Sequence, residues 1–274
     1  MRVGLLSEHC VSVSVRDCAA LLDATAGPLS GDPFIAPAPP IPYLEETHRE
    51  PGRCRILFST QTPTGSPLHP DCVSALEDAA KLCEALGHHV EEGVIRLEQD
   101  EVSEPFKTIS SAGLAWDIRN WERTTGKPAT PDQFEVGTWA LIERGRAAAA
   151  TAEQLMDALA GLQDVTDHVA ANLETYDIWL TPTLGAPPPP LGSFKATSED
   201  PNRGLKMSSQ ILPFTPLINI TGQPAMSVPL FWNSDNLPIG VHFVGRYGDE
   251  GSLFRLAAQL ESARPWASCI PPLI

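Results

Sequence analysis

A chain of 274 residues is long enough for one large α/β domain or two small ones with a sizeable core, so size sets no obstacle to an enzyme. Its net charge of -15, from 34 Asp and Glu against 19 Lys and Arg, opposes binding to phosphate backbones and anionic membranes and argues against nucleic acid as a partner. The start MRVGLLSEHC lacks the apolar centre of a secretory signal, and no apolar run approaches the ~20 residues of a membrane helix, so a soluble cytoplasmic protein is expected.

After a short apolar segment from Gly4, Val15, Ala19, Leu22 and Ala26 recur at helical spacing until Gly27-Pro28 stops the helix. The following IAPAPPIPYLEE is too Pro-rich for regular structure and reads as a surface connector. Arg55 to Ser59 has the character of a buried strand. Asp71, after Pro70, then caps a helix with Val73, Leu76, Ala80, Cys83 and Leu86 on one face, which closes at Gly87. His89-Val90-Glu91 forms the next strand, and a strand-helix-strand crossover makes the two strands parallel. His88 and His89 stand beside Glu91 and Glu92. Neighbouring strand side chains point to opposite faces, however, and no third ligand stands at usable spacing, so a solvated strand end is expected there.

Residues 101–146 are predominantly helical, interrupted where Thr130-Pro131-Asp132-Gln133 writes a capping box. A second box, Thr151 to Gln154, starts a long helix with Leu155, Leu159, Leu162, Val165, Val169 and Leu173 along one stripe. These helices are expected to cover one sheet face, with Trp116, Trp121 and Trp139 read as core fillers ahead of a substrate-cleft lining, and Asp164 and His168, four residues apart, as an ion pair ahead of a catalytic dyad. Tyr176 to Leu180 is a further strand, followed by Thr181-Pro182-Thr183, a stiff run at Pro187 to Pro190 and a polar loop over 193–206. The six cysteines, Cys10, Cys18, Cys54, Cys72, Cys83 and Cys269, show no CxxC spacing. They read as reduced core thiols without a disulfide frame or zinc site, and neither a metal nor a cofactor is expected.

The run from Pro213 to Gly245, PFTPLINITGQPAMSVPLFWNSDNLPIGVHFVG, is almost free of charge and should be buried. Met226, Val228 and Leu230, and then Ile239, Val241 and Phe243, alternate with the period of sheet strands across the polar turn at 233–236. Before them, Asn219 to Pro224 must leave helical geometry at Gly222 and Pro224, a bend of the kind that lines pockets. Asn219-Ile220-Thr221 is formally a glycosylation sequon, but without secretion it carries no such meaning. Asp249 opens a last helix with Leu253, Leu256, Ala257 and Leu260 inward, ending before Pro265.

Phe214-Thr215, Asn219-x-Thr221-Gly222-Gln223-Pro224-Ala225, Leu237-Pro238-Ile239-Gly240-Val241-x-x-Val244-Gly245-Arg246 and Asp249-Glu250 together resemble the C-terminal segment of the amidase signature family. Glu8-His9 before Ser14-Val15-Arg16-Asp17, then Ala19 to Asp23, Gly31-Asp32-Pro33 and Thr181-Pro182-Thr183, extend the likeness; Val13 departs from it, where the family commonly has Arg. Trp139-Ala140-Leu141 and Leu260 to Trp266 are most similar to the subfamily of 6-aminohexanoate-cyclic-dimer hydrolases. The resemblance implies a single partial amidase domain over 1–274, in an α/β fold with a mixed, mostly parallel sheet covered by helices. It also implies hydrolysis of carboxamide C–N bonds through a Lys, a bridging Ser held by a cis peptide, and a nucleophilic Ser. In the family those three precede the segment matching Gly4, and this sequence has no Gly/Ser-rich loop and no Lys three residues after a Ser.

No catalytic residue is therefore assigned, and the chain alone is expected to be inactive. Phe214, Thr215, Asn219, Thr221, Gly222 and Thr183 are the substrate-binding candidates, which either shape a pocket or only secure the bend and pack the core. A small amide substrate, and either a homo-oligomer or a complementing N-terminal half, are the partners this implies. The other readings are a non-catalytic remnant that acts as a binding or interaction module, and a fragment with no stable fold.

Overall fold

Local capping groups decide where most helices begin. In the computed structural model, which describes residues 5–32, 35–148 and 150–270, α1 (Val15–Thr25) starts at Ser14, whose hydroxyl accepts from the Asp17 amide at 3.1 Å. The Pro-rich connector is not loose throughout. It contains the single turn α2 (Tyr43–Glu46), because Asp23 accepts from the Tyr43 and Leu44 amides at 2.7 and 2.8 Å and so satisfies its unpaired donors. Tyr43 and Glu46 are buried. Between β1 (Arg55–Phe58) and β2 (His89–Glu92), α3 (Pro70–Ala85) is capped by the ring of His69, which accepts from the Asp71 amide at 3.2 Å, rather than by Asp71 itself. The Asp71 carboxylate instead accepts from Asn233 at 2.8 Å, which ties the helix to a distant hairpin.

Helices α4 (Gln99–Thr125), α5 (Val136–Ala147) and α6 (Ala152–Leu173) follow, and Gln133 and Gln154 close the two expected boxes on the amides of Thr130 and Thr151, both within 3.0 Å. Only α6 lies along the sheet, through Val165, Val169 and Leu173; α4 rests on α6 and reaches that core with Val102, and α5 stacks on α4. This corrects the expectation that all three cover the sheet, and it explains a second correction. Trp116 and Trp121 are not core: they are 52% and 36% exposed, because α4 packs on α6 and α5 and not on the sheet. Trp139 is half-buried, 6.0 Å from the Phe134 ring and 5.5 Å from the Arg146 guanidinium. The Asp164–His168 pair does not form, since His168 faces Asn172 on the next turn.

The sheet is completed by β3 (Ile178–Pro182), β4 (Ala225–Trp232) and β5 (Pro238–Gly245), in the order β2-β1-β3-β5-β4. β1 pairs in parallel with β2 and β3, and β5 pairs antiparallel with β3 and β4, so four strands share one direction and β5 opposes them. This is the mixed, mostly parallel α/β sheet that the sequence implies. The remaining helices are α7 (Arg203–Ile211), α8 (Thr215–Thr221) and α9 (Glu250–Ala263), the last capped by Asp249, which accepts from the Ser252 amide at 3.2 Å. Alternation along the strands sorts the core into two layers. Ile56, Ile178, Leu180, Val241 and Phe243 face α3 and α9, whereas Leu57, Trp179 and Val244 face α6 and α8.

Among the described residues the buried polar side chains of these layers are paired, with the exception of Trp232 Nε1 at the end of β4. Glu46, 4% exposed, accepts from Arg255 at 2.5 Å and fixes α2 to α9. Trp179 donates to Ser59 at 2.8 Å, and Ser59 donates to the Gly93 carbonyl at 2.7 Å. His88 corrects the solvated-end reading: it is buried, accepts from the Cys54 amide at 3.1 Å and donates to Gln259 at 2.8 Å. Burial pushes the thiols of Cys54 and Cys72 up to about 11 and that of Cys83 to about 12, so these three are inert core groups as expected. The other three are not core: Cys10 and Cys18 are half-buried and Cys269 is exposed. Among the described residues no helix is long and apolar enough to cross a membrane.

Candidate functional site

The bend expected just before the first of the two C-terminal strands is more regular than its Gly and Pro content implies. Pro216 sits in the first turn of α8, where a missing N–H costs nothing, and the helix ends at Gly222 with φ 69, whose amide donates to the Ile218 carbonyl at 2.9 Å. Thr221 is buried and its hydroxyl donates to Gln223 at 3.0 Å. Gln223 in turn donates to the Gly245 carbonyl at 3.0 Å, and the Gly245 amide donates to Pro224 at 2.8 Å, so this end of α8 is stitched to the end of β5.

The other end of α8 meets a different part of the sheet. The Gly185 amide donates to the Ile211 carbonyl at 2.9 Å, and a Cβ on Gly185 would lie 3.3 Å from the Pro213 ring, so the chain entering α8 is laid against the loop that leaves β3. Thr183 lies in that loop. Its amide donates to the Gly240 carbonyl at 3.1 Å and its hydroxyl is 2.7 Å from that of Ser227. Gly240 is required by this arrangement, because a Cβ there would stand 2.7 Å from Ser227 Oγ and 2.8 Å from Thr183 Oγ1. Gly240→Ala is expected to break the hydroxyl pair and to cost ~1–3 kcal/mol in chemical denaturation; an unchanged midpoint would show that the strands part freely.

Ladder pairing measures how far apart these two ends lie. Ile178 pairs with Gly245 and Pro182 with Val241, so the Pro224 bend is level with the start of β3 and Thr183 lies beyond its end. Five residues of strand, about 16 Å, separate them. The six predicted residues therefore divide. Thr183 sits at the C-terminal end of β3; Thr215 opens α8 two residues after Pro213, which lies against Gly185 beyond that end, and Phe214 between them turns inward, fully buried and edge-on to Trp179 at 5.9 Å. Thr221 and Gly222 lie at the opposite end. Asn219 is between, accepting from the Ser7 hydroxyl at 3.3 Å. Ser227 was legible only as a polar residue in an alternating strand, and nothing in the sequence joins it to Thr183.

Next to this pair lies His242, opposite both Thr181 and Ser227 in the ladders and buried. Its Nδ1 is 3.1 Å from the Thr181 hydroxyl, and desolvation lowers its pKa from 6.5 to about 4, so the ring is neutral near pH 7. Between those two values the unfolded chain binds the extra proton. Stability is therefore fully present above pH 6.5 and is lost as the pH falls toward 4, by roughly 3 kcal/mol. Denaturation across that window should show this slope, and His242→Gln should flatten it.

Amide hydrolysis through a serine acyl-enzyme needs the serine hydroxyl in contact with a base. Among the described residues no serine hydroxyl bonds a histidine ring or a lysine amine: Ser227 is paired with Thr183, His242 with the fully buried Thr181, and Lys107 and Lys206 with carboxylates. A cleft of about 420 Å³ lies elsewhere, between residues 47–51 and α9 across the sheet from α8, and none of the predicted site residues lines it. Two hydroxyls, a glycine and a helix start form the chemically distinctive corner.

The family profile of the amidases matches residues 5–254. The chain belongs to the amidase family. It shares 33% identity over 288 positions with 6-aminohexanoate-cyclic-dimer hydrolase of Paenarthrobacter ureafaciens, an alignment covering 99% of this chain and 56% of that protein. The solved structure of 6-aminohexanoate cyclic dimer hydrolase superposes with a TM-score of 0.85 at 33% identity, over 94% of this chain and 55% of that one. This bears out the subfamily likeness read from residues 139–141 and 260–266. A bacterial aryl acylamidase of the amidase signature enzymes superposes at 0.76 with 19% identity, over 93% of this chain and 52% of that one, and shows the shared fold. This amidase-family chain thus spans about half the length of the curated relatives it matches.

Proposed function

We propose that this chain supplies the substrate-facing part of a carboxamide hydrolase. In this reading a Ser, a bridging Ser and a Lys from a complementing segment perform acyl transfer, and residues 1–274 form a single partial domain that is inactive alone. The observation that supports it best is the Thr183–Ser227–Gly240 corner beneath the start of α8. Ligands of α/β sheets bind outside the carboxyl ends of the strands, and this corner stands at the carboxyl end of β3. Thr183 and Thr215 then face the substrate, while Phe214, Asn219, Thr221 and Gly222 hold α8 in place. By likeness to the 6-aminohexanoate-cyclic-dimer hydrolases, the substrate is a small amide with an apolar linker.

The test assays the chain mixed with the upstream half of the Paenarthrobacter relative, expressed separately. Thr183→Val should raise KM about tenfold or more with kcat nearly unchanged, the pattern of lost uniform binding, whereas Thr221→Val should alter stability and leave KM alone. Equal KM values for Thr183→Val and the parent would remove Thr183 from the site.

A further inference from the structure

The extended segment before α1 folds back so that three ligand atoms meet. Cys18 Sγ lies 3.3 Å from His9 Nε2, Cys10 Sγ lies 3.6 Å from the same nitrogen, and the two sulfurs are 4.0 Å apart. We propose that His9, Cys10 and Cys18 form a binding site for one thiophilic divalent cation, zinc by its chemistry, separate from the amide corner.

The triangle has the dimensions of one face of a tetrahedral zinc centre. With Zn–S near 2.3 Å and Zn–N near 2.0 Å, tetrahedral angles require about 3.8 Å between sulfurs and about 3.5 Å from sulfur to nitrogen. Each of the three separations is within a few tenths of an ångström of these values. The sulfurs are much too far apart for a disulfide, which needs about 2.05 Å. The set is also selective: two thiols with an imidazole suit zinc, while magnesium and calcium demand oxygen.

The backbone that carries the three groups is tied down on both sides. Leu5 is buried among α4 and α6, and Ser7 donates to Asn219 at 3.3 Å. Beyond the cluster Trp266 donates to the Val13 carbonyl at 2.8 Å, and Ser14 caps the helix on which Cys18 stands. His9 is exposed and both cysteines are half-buried, so an ion has access. Binding forms two Zn–S bonds and one Zn–N bond, and the two thiol protons leave to solvent. The sequence hides this site. Cys10 and Cys18 are eight apart with no second pair, and it is the helix cap at Ser14 that folds the spacing into a cluster.

The experiment titrates the metal-free, fully reduced chain with Co2+. One equivalent should give a thiolate-to-cobalt charge-transfer band and intense tetrahedral visible bands, both bleached by one equivalent of Zn2+. Cys10→Ser, Cys18→Ser and His9→Ala should each weaken zinc binding by at least about 10–100-fold, the loss that even an outer-shell partner brings, and Cys269→Ser should leave it unchanged. Should those variants fail to fold, alkylation of the unaltered chain answers instead: zinc should protect Cys10 and Cys18 while Cys269 still reacts. An octahedral aquo-type cobalt spectrum, no protection of those two thiols, or a reduced chain that binds no metal and closes a Cys10–Cys18 disulfide in air would overturn the site.

Discussion

Assayed alone, the 274-residue chain should turn over no amide above a buffer control. Enzymes lower such barriers by ~8–23 kcal/mol, and most of that comes from an activated nucleophile, its base and preorganised oxyanion donors acting as a unit. Among the described residues no serine hydroxyl bonds a histidine ring or a lysine amine. Thr183 and Ser227 are bonded to each other, and the neutral imidazole of His242 is buried against Thr181. An unactivated hydroxyl is a poor nucleophile at neutral pH, and positioning cannot replace a missing acyl acceptor. Addition of the upstream half of a relative should restore turnover in the mixture only, and turnover should disappear when the Lys or either Ser of that half is changed. Amide hydrolysis by the pure chain, abolished by altering Ser227 or another of its own serines, would place the active site in these residues instead.

The family and the sheet were legible in the sequence because both depend on local pattern. Period-two alternation at 226–230 and 239–243 marks β4 and β5, and Gly and Pro at fixed offsets carry the family likeness. What failed depends on the neighbour each residue meets. Trp116 and Trp121 read as core because aromatic residues are usually buried, but α4 lies in an outer layer, against α6 and α5, and leaves both rings partly in solvent. His88 looked like a strand end exposed to water, and only the arrival of α9, with Gln259, buries it. The candidate site was legible as residue types and illegible as geometry. Thr183 and Gly222 both border the same sheet, and nothing short of strand order and register reveals that they lie at opposite ends of β3. Likewise no spacing rule reports that Ser14 turns the chain so that His9 and Cys18 meet.

Phe214→Ala is expected to lower the stability of the chain by ~3–5 kcal/mol, the usual cost of emptying a fully buried aromatic site. Phe214 is 0% exposed, and its ring stands edge-on to Trp179, a geometry that contributes ~0.5–1.5 kcal/mol beyond burial. The loss should spread. Phe214 occupies the position from which α8 starts, and its carbonyl accepts from the Leu217 and Ile218 amides at 3.0 and 3.2 Å, so a cavity here loosens the helix that covers Trp179 and Val244. Phe214→Leu keeps much of the volume and should recover more than half of the deficit. Urea denaturation followed by tryptophan fluorescence measures both variants. A different outcome would follow if the ring lined a substrate pocket. Phe214→Ala would then leave the denaturation midpoint near the parent's and raise KM in the complemented mixture, as Thr183→Val is expected to do. The two residues thus separate the uses of one corner: Phe214 by its effect on folding, Thr183 by its effect on substrate.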